Sequence, residues 1–209
     1  MRQIKNIIMS AVAAGLCLSF SSCTNDYESF NRNPNGVTKD ETQRYAYAMR
    51  SAMLNLEGWV IPTDVNTNQF TECLMGGSYG GYIADSNSGF AGKNFGQFSP
   101  ENGWSRVMFK DVIPKLFIYC GEVARATDDP IPNAVASIIK VSGIQRVTDC
   151  YGPIPYSQVG KDGQITAAYD SQEQVYNLMF EQLNAAIDVL TQNRTADFSD
   201  KADRVYGGN

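Results

Sequence analysis

The sequence predicts an all-α fold of antiparallel helix pairs joined by long irregular loops. Four segments carry apolar residues at three- and four-residue steps, the spacing that places side chains on one face of a helix. No run shows the sustained alternation of apolar and polar residues that marks a half-buried strand. The 209 residues are globular in composition and favour one domain, which would bury about 70% of its unfolded surface.

Residues 1–22 have the features of an export signal. Arg2 and Lys5 form a basic region, and Ile7–Phe20 is an apolar stretch of fourteen residues. That stretch is shorter than the ~18 to 20 residues that a membrane-spanning helix needs, which favours a cleaved signal peptide over a retained anchor.

The sequence Phe20-Ser21-Ser22-Cys23 resembles the lipobox of bacterial lipoproteins, in which small residues precede an acylated cysteine. Cys23 is therefore the candidate lipid anchor, and acyl chains such as palmitate hold a protein at a membrane without a basic patch. The alternative is a free cysteine beside an ordinary cleavage site. Residues 23–37 are polar and turn-prone and are predicted to form a lipidated tether, with the helical domain in residues 38–209.

The first predicted helix begins at a capping box, in which Thr38 caps the helix and Glu41 reaches back to it. Its apolar positions are Tyr45, Met49, Ala52, Met53 and Leu56. Gly58 supplies the predicted stop.

A long loop rich in glycine and aromatic residues is predicted from Gly76 to Gly103, with eight glycines. Loops of this length inside a compact domain are uncommon and often functional. Aromatic rings stack on the apolar faces of sugar rings while amides bond their hydroxyl groups, so the composition is typical of a sugar-binding surface. The candidate ligand-binding residues are Tyr79, Tyr82, Phe90 and Trp104. Alternatively, these rings pin the loop to the helices, and Trp104 is a core residue at the head of a helix.

The other three helices are predicted from about Trp104 to Ala126, from just after Pro130 to just before Cys150, and from Ser171 to about Leu190. Pro114 lies inside the second segment and predicts a kink or break. In the fourth, Ser171 caps the helix and Gln174 occupies its third position, as in a capping box.

Charge and composition exclude several classes of function. The chain has 17 basic and 22 acidic residues, a net charge of −5 and no histidine. An acidic chain without a basic cluster does not bind a nucleic-acid backbone, and the lack of histidine excludes Ser-His-Asp and Cys-His catalysis. The predicted mature chain, without Arg2 and Lys5, is more acidic still.

Neither metal ions nor cofactors are predicted to bind. Asp64, Asn66 and Asn68 have the opening spacing of a calcium-binding EF-hand loop, but Gln69 replaces the required glycine and Met75 the chelating glutamate. Cys73, Cys120 and Cys150 lack the paired spacing of a zinc site. At most two of the three form a disulfide, and three buried thiols are the favoured prediction.

Two stretches are similar to the SusD/RagB family. They are Arg146–Gln158, with the letters RVTDCYGPIPYSQ, and Ala168–Leu190, which begins AYDSQEQVY. Family members typically have a helix ending in an Arg-Val-Thr-Asp type sequence, then a Tyr-Gly-x-Ile-Pro-Tyr turn, and a Ser-x-Glu-x-Val-Tyr opening of the next helix. The order of these motifs, behind a lipobox, carries the resemblance.

The resemblance implies a surface-exposed, lipid-anchored outer-membrane protein built on tetratricopeptide-like helix pairs. It implies binding of oligosaccharides or other nutrients without catalysis, and a role as the lid of a SusC-like TonB-dependent transporter. Family members are much longer, so the resemblance also implies that residues 38–209 are the N-terminal part of such a domain. The alternative function is a helical-repeat scaffold for protein partners that binds no ligand.

The lipobox gives a prediction for Cys23. The Cys23→Ala variant should not incorporate an alkynyl fatty acid in metabolic labelling and should leave the membrane fraction, because the acylated thiol is its only predicted tether. Retention of the label by that variant would contradict the lipobox interpretation.

Overall fold

The computed structural model describes residues 46–84, 98–99, 102–161, 166–196 and 202–203, together with Gly36, Glu41 and Gly207. The chain divides into two compact units, Met1–Asp40 and Glu41–Asn209, and all the described helices belong to the second. Apart from Gly36, the predicted signal peptide, Cys23 and the tether lie outside the described residues.

The predicted all-α fold is confirmed. In chain order the elements are α1 (Tyr47–Val60), α2 (Val65–Asn68), the π-helix π1 (Gln69–Gly77), α3 (Asn102–Ser105), the π-helix π2 (Met108–Val112), α4 (Ile113–Ala126), α5 (Pro130–Tyr151), strands β1 (Ile154–Pro155) and β2 (Tyr169–Asp170), and α6 (Gln172–Gln192). The two strands are antiparallel and only two residues long, with Ile154 opposite Asp170 and Pro155 opposite Tyr169. No described helix is both long enough and apolar enough to cross a membrane.

The first helix differs from its prediction at both ends. It begins at Tyr47 without a side-chain cap, and Thr38 lies outside the described residues. Gly58 does not stop it, because the helix continues to Val60. The stop is instead Pro62, since the residue before a proline disfavours helical geometry, and Ile61 is extended with φ −125°. Trp59 and Val60, beyond the glycine, pack against the core.

At Pro114 the second predicted helix is not broken, because Val112 and Ile113 both keep helical dihedral angles. This proline lies in the first turn of α4, where its missing N–H is tolerated, and the preceding turn Met108–Val112 has π-helical hydrogen bonding. The Trp104–Ala126 segment is therefore three consecutive helical pieces, α3, π2 and α4.

The caps of the last two helices satisfy exposed backbone donors. The Asp129 carboxylate accepts a hydrogen bond from Ile131 N at 3.0 Å and caps α5. The predicted capping box of α6 is confirmed: Ser171 Oγ accepts from Gln174 N at 3.2 Å, and Gln174 Oε1 accepts from Ser171 N at 2.9 Å.

Residues between α1 and the glycine-rich segment are helical, which the sequence analysis missed. Asp64 Oδ2 accepts hydrogen bonds from Thr67 N at 2.8 Å and Thr67 Oγ1 at 3.0 Å, so this carboxylate caps α2. Asp64, Asn66 and Asn68, which have the spacing of a calcium-binding loop, therefore lie at the start of a helix. π1 then runs through Gly76 to Gly77, so the predicted loop begins later than Gly76.

The core forms where α1 packs on α4 and α5, α4 on α5, and α5 on α6. The largest fully buried side chains include Met53, Leu56, Met108, Leu116, Ile144, Val147, Ile154 and Val175. α4 and α5 are joined only by Thr127–Asp129, so they are antiparallel neighbours. They approach closely at Gly143, where an added Cβ would lie 2.5 Å from Leu116 Cδ1.

The three cysteines of the helical domain are free. Cys120 is half-buried, but Cys73 and Cys150 are exposed, so the prediction of three buried thiols is wrong for two of them. Cys73 lies on π1, a helix that the sequence did not predict, and Cys150 lies in the last turn of α5.

The contact at Gly143 predicts that Gly143→Ala destabilises the protein by about 1–3 kcal/mol, since fully buried Leu116 has no room to retreat. Thermal or urea unfolding measures this. Gly121→Ala in α4 is the matched control, because its nearest contact is the flexible Arg125 guanidinium at 3.5 Å. That control should be neutral or stabilising by up to about 1 kcal/mol, the gain in helix propensity.

If the steric contact is the cause, adding Gly143→Ala to a Leu116→Ala background should cost much less than adding it to the unaltered protein. An equal cost in both backgrounds would contradict the packing argument.

Candidate ligand-binding site

The turn after α5 is fixed by Thr148 and Gly152. Gly152 N donates to Thr148 O at 2.7 Å, and Thr148 Oγ1 donates to Gly152 O at 2.7 Å. Gly152 has φ 71° and ψ −112°, a positive-φ conformation that glycine adopts at little cost, and it ends the helix. The Tyr-Gly-Pro-Ile-Pro-Tyr motif is thus a helix stop followed by the short strand β1.

The Asp170 carboxylate closes this turn. Its Oδ2 accepts hydrogen bonds from Tyr156 N at 3.0 Å and Ser157 N at 2.7 Å, and its Oδ1 accepts from Ser157 Oγ at 2.7 Å. Partial burial raises the pKa of Asp170, but the hydrogen bonds from Ser157 and Tyr156 lower it by more, so the net pKa is below its ordinary value.

Two further bonds join the end of α5 to the start of α6. Gln172 Nε2 donates to Thr148 O at 2.9 Å, and the Tyr176 hydroxyl donates to Asp149 Oδ1 at 2.6 Å. We call the set Thr148, Asp149, Gly152, Asp170 and Tyr176 the α5–α6 corner. It holds the two helices together and fixes the positions of Tyr151 and Tyr169.

Arg146 holds the segment that leads to the predicted ligand residues. One guanidinium nitrogen donates to Val60 O at the end of α1, and another forms an ion pair with Glu72 on π1. Arg146 lies five residues before Tyr151 on α5. A single side chain therefore connects α1, π1 and α5, and it positions the residues after π1, including Tyr79.

Of the predicted ligand residues, Tyr79 and Tyr82 follow π1 at the surface, while Phe90 lies outside the described residues. Tyr82 is 88% exposed. Its ring lies against Gly80, where an added Cβ would be 2.9 Å from two ring carbons. Tyr79 stacks on Phe98, with ring centroids 5.5 Å apart and an angle of 8° between the planes.

Among the described residues, the ring contact of Trp104 is with Phe70 and not with Tyr79 or Tyr82. Its indole packs against Phe70 of π1, with centroids 5.8 Å apart, and it is half-buried. This contact ties α3 to π1, as in the alternative interpretation of Trp104 as a packing residue.

A second set of rings lies at the α5–α6 corner. Phe109 contacts Tyr151 edge to face at 5.4 Å and stacks on Tyr169 at 5.6 Å, with 21° between the planes of the stacked pair. Tyr169 is 64% exposed. The Tyr79 hydroxyl contributes the smallest of the three causes that raise the pKa of Tyr151. We call Tyr79, Phe98, Phe109, Tyr151 and Tyr169 the aromatic strip.

The Tyr151 hydroxyl is buried and has no hydrogen-bond partner among the described residues. Burial, followed by the Cys150 thiol and the Tyr79 hydroxyl, raises the pKa of Tyr151 to about 12, so the phenol is neutral. A buried hydroxyl without a partner costs folding free energy, on the order of 1–3 kcal/mol. A neutral phenol both donates and accepts hydrogen bonds, as a sugar hydroxyl requires of its partner.

Tyr151 lies in the Tyr-Gly-x-Ile-Pro-Tyr turn, and Tyr151, Phe109 and Tyr169 are not among the predicted ligand residues. Their ring contacts join α5, π2 and β2, elements separated in sequence, and no spacing rule brings them together. Tyr151 and Tyr169 lie inside the two recognised motifs, which was the available signal. No group of three or more metal-ligating side chains occurs in the described part of the chain.

The sequence model of the family described as SusD-like, SusD and RagB outer membrane lipoprotein, matches residues 29–209. The chain belongs to the SusD/RagB family. The predicted family membership is thereby confirmed, and the family's description associates its members with the outer membrane as lipoproteins. No curated protein matches the chain.

Several solved structures of SusD relatives are similar to the chain. A SusD homolog from Bacteroides uniformis is 49% identical, with a TM-score of 0.72 over 78% of this chain and 34% of that one. One from Bacteroides ovatus is 38% identical, with a TM-score of 0.71 over 78% and 33%. A chitin-binding SusD homolog from Flavobacterium johnsoniae is 26% identical, with a TM-score of 0.71 over 77% and 35%.

The chain thus spans about a third of the length of these relatives. The helices, the α5–α6 corner and the aromatic strip described above all lie in residues covered by the family match.

The α5–α6 corner predicts the effect of removing its charge. Asp170→Asn places an amide N–H opposite backbone donors and should lower the free energy of unfolding at neutral pH by about 1–2 kcal/mol. Asp188→Asn, an exposed carboxylate on α6, is the control and should change it by less than about 0.5 kcal/mol.

The stability that Asp170 contributes should decrease at acidic pH. Because folding lowers the pKa of Asp170, its stabilising effect is present above the unfolded value of about 4 and is lost as the pH falls through the lower folded value. Acid unfolding curves of the unaltered protein and Asp170→Asn should therefore converge below about pH 4. A stability difference that is unchanged at low pH would contradict this role.

Proposed function

We propose that this SusD-family protein binds glycans or related neutral nutrients at the cell surface without cleaving them. The exposed ring surface of Tyr79, Phe98 and Tyr169 is the observation that carries the proposal. The Tyr151 hydroxyl is covered by neighbouring atoms in this structure, so a ligand hydroxyl bonds it only when those atoms move aside. The chitin-binding relative from Flavobacterium johnsoniae supports a sugar polymer as the ligand class.

The strip has the chemistry that a neutral sugar needs. Tyr79, Phe98 and Tyr169 expose ring surface for the apolar faces of pyranoses. Tyr82 adds a further exposed ring beside Tyr79 in sequence. Stacking and neutral hydrogen bonds require no titrating group, so binding should vary little between about pH 6 and pH 8.

The backbone of Phe98 is strained. This residue adopts φ 57°, a left-handed conformation that a bulky residue rarely takes, and its ring is 76% exposed. Residues with a strained backbone cluster at ligand sites, because the strained conformation can hold a side chain in the position that the ligand needs. This supports placing Phe98, beside Tyr79, in the ligand-binding surface.

We assign no catalytic step to the strip. Glycoside hydrolysis uses two carboxyl groups on opposite sides of the scissile bond, commonly about 5 to 9 Å apart. The five residues of the strip carry no carboxylate, and the carboxylates of Asp149, Asp170 and Glu72 are bonded to Tyr176, Ser157 and Arg146 respectively.

Tyr151→Phe separates a ligand role from a structural one. Removing a buried unpartnered hydroxyl should leave stability unchanged or raise it, by up to about 1 kcal/mol. If the hydroxyl bonds ligand, the same variant should bind glycan about 3- to 10-fold more weakly in isothermal titration calorimetry with chito-oligosaccharides and other neutral glycans.

Tyr79→Ala and Tyr169→Ala should each reduce affinity about tenfold, while Phe180→Ala, an exposed ring on α6, should not change it. The measurements use this chain. Equal affinity for Tyr151→Phe and the unaltered protein would remove the hydroxyl from the site. Release of reducing ends from the glycan would contradict the non-catalytic role.

We further propose that the protein is anchored through acylated Cys23 and acts as the lid of a SusC-like TonB-dependent transporter in the outer membrane. Capture of glycan at the surface requires a route inward, and a lipid-tethered binding protein has none of its own. Affinity purification of the tagged protein from outer membranes should recover a TonB-dependent barrel identified by mass spectrometry. Recovery of the protein alone, after mild crosslinking in intact cells, would contradict the partnership.

A further inference from the structure

A pocket unconnected with the aromatic strip opens between α1 and the start of α2. Its volume is about 230 Å³, and its lining includes Leu54, Asn55, Trp59, Pro62, Thr63 and Asp64. It shares no lining residue with the strip. Polar and apolar groups both contribute, which is typical of a site for a small amphipathic ligand.

The walls of the pocket are fixed by local structure. Trp59 is half-buried and packs against the core, so the indole is held on one side by the domain. The Asp64 side chain is oriented by its bonds to Thr67, and Asn68 Nδ2 donates to Pro62 O at 3.0 Å. The pocket is therefore built from residues that the fold already holds in place.

The polar wall is rich in hydrogen-bond acceptors. Asn55 Nδ2 donates to Ser51 O at 2.8 Å. The side-chain oxygen of the same residue, Asn55 Oδ1, accepts no hydrogen bond among the described residues. Hydrogen bonds from Thr67 N and then Thr67 Oγ1 lower the pKa of Asp64, so its carboxylate is ionised and retains further acceptor sites. A ligand for this wall must supply donors, as vicinal hydroxyl groups do.

An organic ammonium ion would also meet an indole and a carboxylate, but the geometry favours a neutral ligand. Asp64 is exposed to water, and exposed ion pairs contribute little because water screens the attraction. Hydroxyl groups bonded to Asn55 and Asp64, with the apolar sugar face on Trp59, depend less on charge. The pocket is also of the size of one sugar ring and smaller than the ~300–1,000 Å³ of drug-sized sites.

We infer that the pocket bounded by Asn55, Trp59 and Asp64 binds a single pyranose unit or a similar neutral polyol, with the indole against its apolar face and the two polar side chains accepting from its hydroxyl groups. This inference does not rest on the proposed glycan binding at the aromatic strip.

The protein's tryptophan content makes the pocket accessible to fluorescence. The chain has two tryptophans, Trp59 and Trp104, so Trp104→Phe leaves Trp59 as the only indole. Titration of this variant with glucose, N-acetylglucosamine and myo-inositol should give a saturable change in emission for at least one of them. A dissociation constant in the millimolar range is expected for so small a ligand.

Two substitutions test the polar wall. Asn55→Ala should weaken the response about tenfold, since it removes an acceptor. Asp64→Asn keeps an effective helix cap and should weaken it only a few-fold if the ligand is neutral. Tyr79→Ala in the same background should leave the Trp59 response unchanged, so failure at the strip and failure at this pocket are distinguishable.

Circular dichroism melts check that each variant is folded, and saturation-transfer NMR on the unaltered protein gives an independent reading of sugar binding. Absence of a saturable response up to several hundred millimolar sugar would overturn the inference. So would a response to tetramethylammonium, but not to sugars, that Asp64→Asn abolishes.

Discussion

The structure depends on satisfying the backbone amides that follow α5. When the chain leaves that helix at Gly152 it turns back, and the N–H groups of Tyr156 and Ser157 require acceptors in a half-buried position. One carboxylate, Asp170, supplies them. Because Asp170 immediately precedes the cap of α6, the same interaction that satisfies the turn also sets where α6 begins and how it lies against α5.

α5 carries this constraint to the rest of the domain. Its middle packs closely on α4 through Gly143, its residue Arg146 holds α1 and π1, and its last residue, Tyr151, enters the aromatic strip. The candidate binding surface therefore stands on a helix fixed along its length. A ligand site needs such support, because rings held loosely lose affinity to the entropy of ordering them.

Local sequence rules predicted what depends on neighbouring residues. The capping box of α6 and the stop near Gly152 each follow from the chemistry of one to four consecutive residues. The rules were wrong at Gly58, where core contacts of Trp59 and Val60 outweigh the preference of glycine for a helix end. They missed π1, whose Glu72 is held by Arg146, a residue more than seventy positions away.

In the candidate site, too, only the residues marked by their sequence neighbours could be predicted. Tyr79 and Tyr82 were predictable because glycine surrounds them, whereas Phe109, Tyr151 and Tyr169 meet only through tertiary packing. We propose that these rings form one glycan-binding surface. The most direct measurement is ¹⁹F NMR of the protein labelled with 3-fluorotyrosine, with each resonance assigned by substitution and neutral glycan added in steps. We expect the signals of Tyr79, Tyr151 and Tyr169 to shift together with a common saturation curve, and that of Tyr47 on α1 to stay fixed. Saturable shifts confined to tyrosines outside the strip, or no shift at any tyrosine while glycan binds, would contradict the account.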